Sequence, residues 1–580
     1  MVNLKINGKP VQVEAGTTIL AAAKHVNVKI PTLCYNPDLP AWAACGICIV
    51  RMEGSPKMVR ACCTPVSENM SVITHDPEIV QVRRTVIELI LSNHPNDCLQ
   101  CPRNGSCELQ TLAAEFGIRE VPYERFLKGL PIDDSNPAIV INPDKCVRCG
   151  RCVKVCQEVQ NVWAIEFNGR GVQGRIGAAA DVKLGDSPCI KCGQCAAHCP
   201  VGAIYEHDQT QEVWAGIQKE GMYPVVQIAP AVRVALGEEF GLEPGVVITR
   251  KIYAALRRLG FKTIFDTNFS ADLTIIEEGT ELVKRLTQKG EIPLITSCCP
   301  AWVDYMEKYY SDMIPNFSTA KSPMQMMGAM IKTYWAHKAG VDPSKVFSVA
   351  VMPCTAKKWE TGRNDDMKSS GYQDVDVSIT TRELARMIKQ AGIDILNLPE
   401  EDADSPLGPY SGAGTIFGAT GGVMEAAVRT AYNLVTKKEL EDVNFMPVRG
   451  LEGVKEAEID LDGTKIRIAV AHQMGNVAAV LDKIRAAKAA GKETPYHFVE
   501  VMACRGGCIA GGGQPYGCTD EVRAKRIAGI YTDDVKSTYR CSHHNPYIKQ
   551  VYAEFLGEPN GHKAHELLHT HYVPRMLYTK

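Results

Sequence analysis

The sequence of 580 residues contains no run of 18 or more apolar residues, which excludes a conventional membrane-spanning helix. Its opening stretch, Met1-Val-Asn-Leu-Lys-Ile-Asn-Gly-Lys-Pro10, alternates like a strand and lacks the apolar core of a secretory signal, so a cytoplasmic protein without membrane attachment is expected. An excess of one charge is also missing. The formal net charge is −2, which gives no reason to expect a nucleic-acid partner. No flavin or nucleotide fingerprint occurs anywhere in the chain, so any nicotinamide chemistry would require a separate subunit. The composition, 45% hydrophobic and 22% charged, is that of ordinary globular protein, and the length exceeds what one hydrophobic core can serve.

Cysteine is the abundant residue: there are 23, clustered at short spacings. In a chain of this size in a reducing compartment, such clusters read as metal ligands rather than disulfides. The pattern predicts a multi-domain protein of α/β and α+β parts. Residues 1–78 carry short alternating segments, a helix over Thr17–Ala23, a Cys-bearing loop from Cys34 to Cys48 and a strand Ile49–Met52, as in a small ferredoxin-like, β-grasp domain. Residues 79–130 begin with helical periodicity over 79–92 and lead into a second Cys-rich loop. Residues 131–208 contain the unit Cys-x2-Cys-x2-Cys-x3-Cys twice. In residues 209–580 the cysteines thin out and apolar strands alternate with amphipathic helices, which predicts a large α/β domain. Ser322-Pro323 reads as the N-cap and first turn of a helix over Met324–His337, and Thr380-x-x-Glu383 reads as a capping box.

Each cysteine group suggests a cluster. Cys146, Cys149, Cys152 and Cys156, followed by Cys189, Cys192, Cys195 and Cys199-Pro200, match the two-cluster ferredoxin run, in which the fourth cysteine of each run serves the other cluster. One [4Fe–4S] cluster is thus assigned Cys146, Cys149, Cys152 and Cys199, and the other Cys189, Cys192, Cys195 and Cys156. Two zinc sites would leave the third and fourth cysteines of each run without a purpose. Cys34, Cys45, Cys48 and Cys62 have the form of a [2Fe–2S] site, with Cys63 as the competing fourth ligand; the turn around Cys62 resembles one in the large iron–sulfur subunit of NADH dehydrogenases. His94, Cys98, Cys101 and Cys107 would fit a Cys3His zinc knuckle on spacing alone. A redox-inactive ion would interrupt a row of electron carriers, which favours a third accessory [4Fe–4S] cluster there.

Three further motifs each follow an apolar run that reads as a strand. Ile292–Ile295 leads into Thr296-Ser-Cys-Cys299-Pro-Ala-Trp302, Phe347–Val351 into Met352-Pro-Cys354-Thr-Ala-Lys357-Lys358, and His497–Val501 into Met502-Ala-Cys504-Arg-Gly-Gly-Cys508. Parallel sheets build their sites at the carboxyl ends of strands, so Cys299, Cys354, Cys504 and Cys508 can converge on one metal centre.

These three motifs, in this order, resemble the signature sequences of the [FeFe]-hydrogenases, and the resemblance extends over essentially the whole chain. It implies reversible interconversion of H2 with protons and electrons at an H-cluster: a [4Fe–4S] cubane on those four cysteines, bridged through Cys508 to a diiron unit bearing CO, cyanide and an azadithiolate. Lys357 would be the cation facing a cyanide, which fits the expense of burying an uncompensated charge. Pro230, Ala231, Ser322 and Gln325 resemble the rest of the pocket, and Met352, Phe417 and Met502 would supply apolar walls, although each of these three alone reads as core. Cys298 is no cluster ligand and is placed to relay protons, with Glu278, Ser318, Glu281 and Arg285 resembling the path onward; the alternative for Glu277-Glu278-x-x-Glu281 is a solvated acidic face. Segments such as Asn93–Cys98 and Glu108–Ala113 look like those of NADP-reducing hydrogenase subunits. The implied electron partners are ferredoxin or a flavin-containing, NAD(P)-binding subunit. These assignments leave Cys63, Cys298, Cys518 and Cys541 outside every cluster.

Overall fold

The structure, a computed structural model, describes residues 1–461 and 463–579. The chain forms two compact units, one of Met1–Val159, Trp163–Ser187 and His198–Tyr205, the other of Gln160–Val162, Pro188–Ala197 and Glu206–Lys580. No helix among the described residues is long and apolar enough to cross a membrane.

The first unit opens with a five-stranded mixed sheet made from β1 (Val2–Ile6), β2 (Lys9–Val13), β3 (Ile49–Met52), β4 (Met58–Arg60) and β5 (Met70–Ile73), in the order β2-β1-β5-β3-β4. Leu4, Ile6, Val50 and Val72 point to one face and bury it against α1 (Ile19–His25). That helix starts two residues later than its apolar run suggests, because Thr18 stays extended and its hydroxyl caps the Ala21 amide. α2 (Pro77–Ser92) is capped by Asp76 with proline in its first turn, and α3 (Glu108–Glu115) follows directly on Cys107.

The second unit is built on two four-stranded sheets. In the first, β6 (Tyr223–Ile228), β7 (Thr263–Asp266), β9 (Val346–Met352) and β10 (Val377–Thr380) run parallel in the order β7-β6-β9-β10. In the second, β8 (Leu294–Ile295), β12 (Thr464–His472) and β13 (Phe498–Met502) are parallel, and β11 (Val454–Leu461) closes the edge antiparallel to β12. β9 and β13 are buried almost throughout, as parallel strands covered on both faces must be. Each fully buried valine of β9, such as Val349 and Val351, contributes about 1.5–3 kcal/mol.

Thr380 and Glu383 form the reciprocal capping box. Ser322 does stand at a helix N-cap, but its hydroxyl makes no capping bond: the amides of Gln325 and Met326 reach its backbone carbonyl instead. The expected helix over Met324–His337 is also interrupted. It runs as Pro323–Met330, widens into a π-helical turn at Ile331–Trp335 and resumes at Ala336–Ala339. Within the widened turn the Thr333 hydroxyl takes the Ala329 carbonyl at 2.6 Å, competing with the backbone ladder.

Candidate active site

Three strand ends of the second unit carry the cysteines. β8 runs through Thr296–Cys298 to Cys299, which caps α4's successor helix Pro300–Tyr309; α4 itself (Thr267–Thr287) lies earlier in the chain and starts at Asp266. β9 ends at Met352, two residues before Cys354. β13 ends at Met502, and the turn beyond it holds Cys504 and Cys508. The turn depends on Gly507. Its φ of 95° suits glycine, and a Cβ there would stand 2.6 Å from the Thr420 amide nitrogen and 2.9 Å from Met502 Sδ.

All four expected ligands share one buried environment. Burial raises the thiol pKa of Cys299, of Cys354 to about 12, and of Cys504 and Cys508 well upward; Cys299 and Cys354 add to the rise at Cys504 and Cys508. Thiols held this close in an apolar setting become thiolates only when a cation compensates them. Gln194, which the motifs did not single out, donates through Nε2 to Cys504 Sγ at 3.2 Å and to the Ala510 carbonyl at 3.2 Å.

Lys357 is 8% exposed, donating to Glu360 at 2.7 Å and to the Cys298 carbonyl at 3.3 Å. Burial opposes its charge, but Glu360 outweighs that and holds its pKa above the ordinary lysine value. Ser322 Oγ and both polar side-chain atoms of Gln325 are buried without a hydrogen-bond partner among the described residues. Leaving a polar group so costs about 1–3 kcal/mol, so the Ser322 hydroxyl and the Gln325 amide NH2 suit a ligand that supplies acceptors. Pro230 and Ala231 lie in the short turn after β6, with the Ala231 carbonyl accepting from Gln514 Nε2 at 2.9 Å. Ala231, Phe417 and Met502 share one apolar cluster, against which Cys298 and Cys508 pack; Met352 belongs to a second cluster with Met324.

Glu278 lies on α4, fully buried, its oxygens unpaired among the described residues. Burial lifts its pKa to about 8, with Glu281 adding to the rise; Ser318 and Ser297 approach it without closing a hydrogen bond of normal geometry. Burial likewise drives the Cys298 thiol well up, and Glu278 reinforces this. Glu281 accepts from Arg285 Nη2 at 2.5 Å, and Arg285 also donates to the carbonyls of Pro315 and Phe317 at 2.9 and 2.7 Å. The solvated acidic face is overturned: Glu277 is buried too, bonded to the Tyr552 hydroxyl, the Asn560 amide at 2.8 Å and His569 Nε2 at 3.0 Å. Tyr572, absent from the sequence-based set, donates to the Ser318 carbonyl at 2.8 Å.

In the first unit the Cys34 thiol is within hydrogen-bonding reach of Cys45 and Cys62, and Cys48 within reach of Cys62; these contacts drive Cys34 down and Cys62 up. Cys62 is buried and Cys63 exposed. His94, Cys98, Cys101 and Cys107 line one cavity, and His94 Nε2 is buried without a partner among the described residues. Gly202 closes that cavity: a Cβ there would fall 2.3 Å from Cys101 Sγ. Burial raises Cys146 to about 11 and Cys149 further, and the charge of Cys199 acts on both.

Comparison with known proteins agrees with this layout. Residues 222–512 match the iron only hydrogenase large subunit, C-terminal domain, and 520–575 the iron hydrogenase small subunit. Residues 1–77 match a 2Fe-2S iron-sulfur cluster binding domain, 83–122 the NADH-ubiquinone oxidoreductase-G iron-sulfur binding region, and 138–200 a 4Fe-4S dicluster domain. The chain is 46% identical to the NADP-reducing hydrogenase subunit HndD of Solidesulfovibrio fructosivorans over 99% of both chains. It is 39% identical to iron hydrogenase 1 of Clostridium pasteurianum, over 99% of this chain and all of that one. A solved structure of the [FeFe]-hydrogenase HydA1 from Chlamydomonas reinhardtii superposes with a TM-score of 0.56 at 42% identity, covering 63% of this chain and 99% of that one. Full-length identity, with the cysteine-bearing strand ends set on matching domains, places the chain in the [FeFe]-hydrogenase family.

Proposed function

We propose that this protein is the catalytic subunit of an [FeFe]-hydrogenase that interconverts H2 with protons and electrons. The observation that carries the reading is the gathering of Cys299, Cys354, Cys504 and Cys508, of which Cys504 is buried and the others partly so, beside a fifth thiol, Cys298, whose pKa the buried carboxyl group of Glu278 helps to raise. Cys299, Cys354, Cys504 and Cys508 would hold the H-cluster. Cys34, Cys45, Cys48 and Cys62 would hold a [2Fe–2S] cluster, and three accessory [4Fe–4S] clusters would take His94 with Cys98, Cys101 and Cys107, Cys146 with Cys149, Cys152 and Cys199, and Cys189 with Cys192, Cys195 and Cys156. When bound, these groups supply the iron site where H2 is split or formed and the relay for its electrons.

The chain's own residues then have three tasks. Lys357, Ser322 and Gln325 offer buried donors to the anionic part of the cofactor, with Pro230 and Ala231 completing the wall. Phe417, Met352 and Met502 exclude water, which strengthens those contacts. Cys298 passes protons to Glu278, whose pKa near neutrality lets it both accept and release them, and Ser318, Glu281 and Arg285 continue the route to the surface.

The electron partner is proposed to be a flavoprotein subunit that binds NAD(P). The whole-length identity to a subunit of an NADP-reducing hydrogenase supports this over direct use of ferredoxin. Infrared spectroscopy after maturation tests the catalytic reading: bands of iron-bound CO and cyanide are expected, and their absence from a protein with its full iron–sulfur content would sink it. Co-purification of a flavoprotein is expected, and full NAD(P) reduction by the isolated chain would refute the division of labour.

A further inference from the structure

Among the cysteines outside every proposed cluster, Cys541 is buried, 3% exposed, and its thiol makes no hydrogen bond among the described residues. It is not isolated. The donor atoms of Cys541, His543 and His544 all lie within 4.8 Å of one another. A carboxylate stands beside the two imidazoles, with Glu439 Oε2 3.1 Å from His543 Nε2 and 3.0 Å from His544 Nε2. We propose that Cys541, His543, His544 and Glu439 form a site for one divalent transition cation of the zinc class, separate from the hydrogen chemistry.

The donor set, one sulfur, two imidazoles and one carboxylate, suits a borderline cation that prefers four ligands. Bonds of about 2.0–2.3 Å in a tetrahedron place ligand atoms roughly 3.3–3.8 Å apart, so closure draws the side chains together. One histidine is already oriented. His543 Nδ1 lies 3.2 Å from the Thr430 hydroxyl, a contact that orients the ring as outer partners of metal-bound histidines do. Two arginines nearby are already paired: Arg429 with Glu425 and Asp534 at 2.7 and 2.9 Å, and Arg540 with Asp534 at 2.6 Å.

The placement suggests a clip. Glu439 follows the helix Gly422–Thr436, and the other three ligands begin the turn after the helix Asp520–Lys536. Ser542, between the ligands, and Asn545, just after them, reach Asp272 on α4 at 2.7 and 3.2 Å. The turn is therefore fastened to α4 on one side, and a cation would fasten its other side to the segment after Gly422–Thr436.

The test uses the full-length protein with its iron–sulfur clusters in place, stripped of adventitious metal with a chelator and titrated anaerobically with Co2+. We expect one equivalent bound per chain with a thiolate-to-cobalt charge-transfer band, displaced by Zn2+. The band should vanish in C541S and persist in C63S, whose cysteine is exposed and unassigned. H544A, altered at a solvent-exposed ligand, should weaken Co2+ binding at least about tenfold, as losses in metal sites do. A band that survives C541S, binding unchanged in H544A, or no cobalt–thiolate band at all would overturn the site and leave a histidine–carboxylate ion network.

Discussion

Replacing Glu278 by glutamine should make the protein more stable and a poorer hydrogenase at once. The carboxyl group is fully buried with its pKa lifted from an ordinary 4.5 to about 8, so it enters the folded state protonated. In the unfolded chain it ionises near 4.5, so as pH rises above that value the unfolded state sheds a proton that the folded state keeps, and stability falls until the pH passes about 8. At pH 7 the wild-type loss is about 3 kcal/mol, from roughly 1.4 kcal/mol per pH unit of lag. Glutamine is neutral throughout and escapes this loss. Apparent melting temperatures of the two proteins, both carrying their iron–sulfur clusters, should coincide near pH 5 and diverge by a few degrees toward pH 8, with E278Q the more stable. Differencing the two curves cancels every other titrating group. Over the same range H2 evolution by E278Q should fall by about a hundredfold or more, because an amide fills the space but passes no proton. A gap in melting temperature that stays flat with pH would refute the raised pKa. Activity within a few-fold of wild type would remove Glu278 from the route.

Other substitutions separate the remaining roles. K357M leaves Glu360 buried and unpaired, so the large unit should lose about 3–5 kcal/mol, and cyanide bands should be missing from matured protein whose iron–sulfur content is intact. Q194A removes the donor to Cys504 Sγ and should lower the potential of the proposed cubane by about 40 mV in an electrochemical titration, the equivalent of a 1 kcal/mol hydrogen bond. G202A forces a methyl group against Cys101 Sγ and should abolish the electron paramagnetic signal of the proposed His94 cluster, while the visible spectrum of the [2Fe–2S] cluster survives. C62S should abolish that [2Fe–2S] spectrum and C63S should leave it unchanged.

The large fold was legible wherever a local rule decided it. The strands that carry Cys354 and Cys504 are buried on both faces, so they read as unbroken apolar runs, and the rule that parallel sheets place their chemistry at strand ends then locates the cysteines without tertiary information. Thr380 and Glu383 cap each other within one turn, and their residue types suffice. Ser322 shows where such rules stop. The same residue type before a proline promises a cap, but in a buried pocket the backbone carbonyl takes over that task and the hydroxyl stays free for something else.

Groups whose state is set by distant chain were not legible from local pattern, and Glu278 entered the expected proton path only through the family resemblance. On local pattern Glu277 and Glu278 look like a solvated pair because nothing within a helical turn argues otherwise; both are buried, and Glu277 is held by Tyr552 and His569, nearly 300 residues away. Gln194, Gly202 and Tyr572 act through contacts with residues far off in sequence, and no spacing rule reports such contacts. The same reasoning explains why Cys541 reads as a spare thiol. Cys-x-His-His is too short and too common a pattern to name a metal site, and what turns it into a candidate is Glu439, about one hundred residues earlier, brought against both imidazoles by the packing of two helices. A motif thus exposes chemistry when its ligands are neighbours in sequence, as in the ferredoxin-like runs. Where protons or cations depend on carboxylates supplied from elsewhere, only the folded chain brings the charge and its partner together.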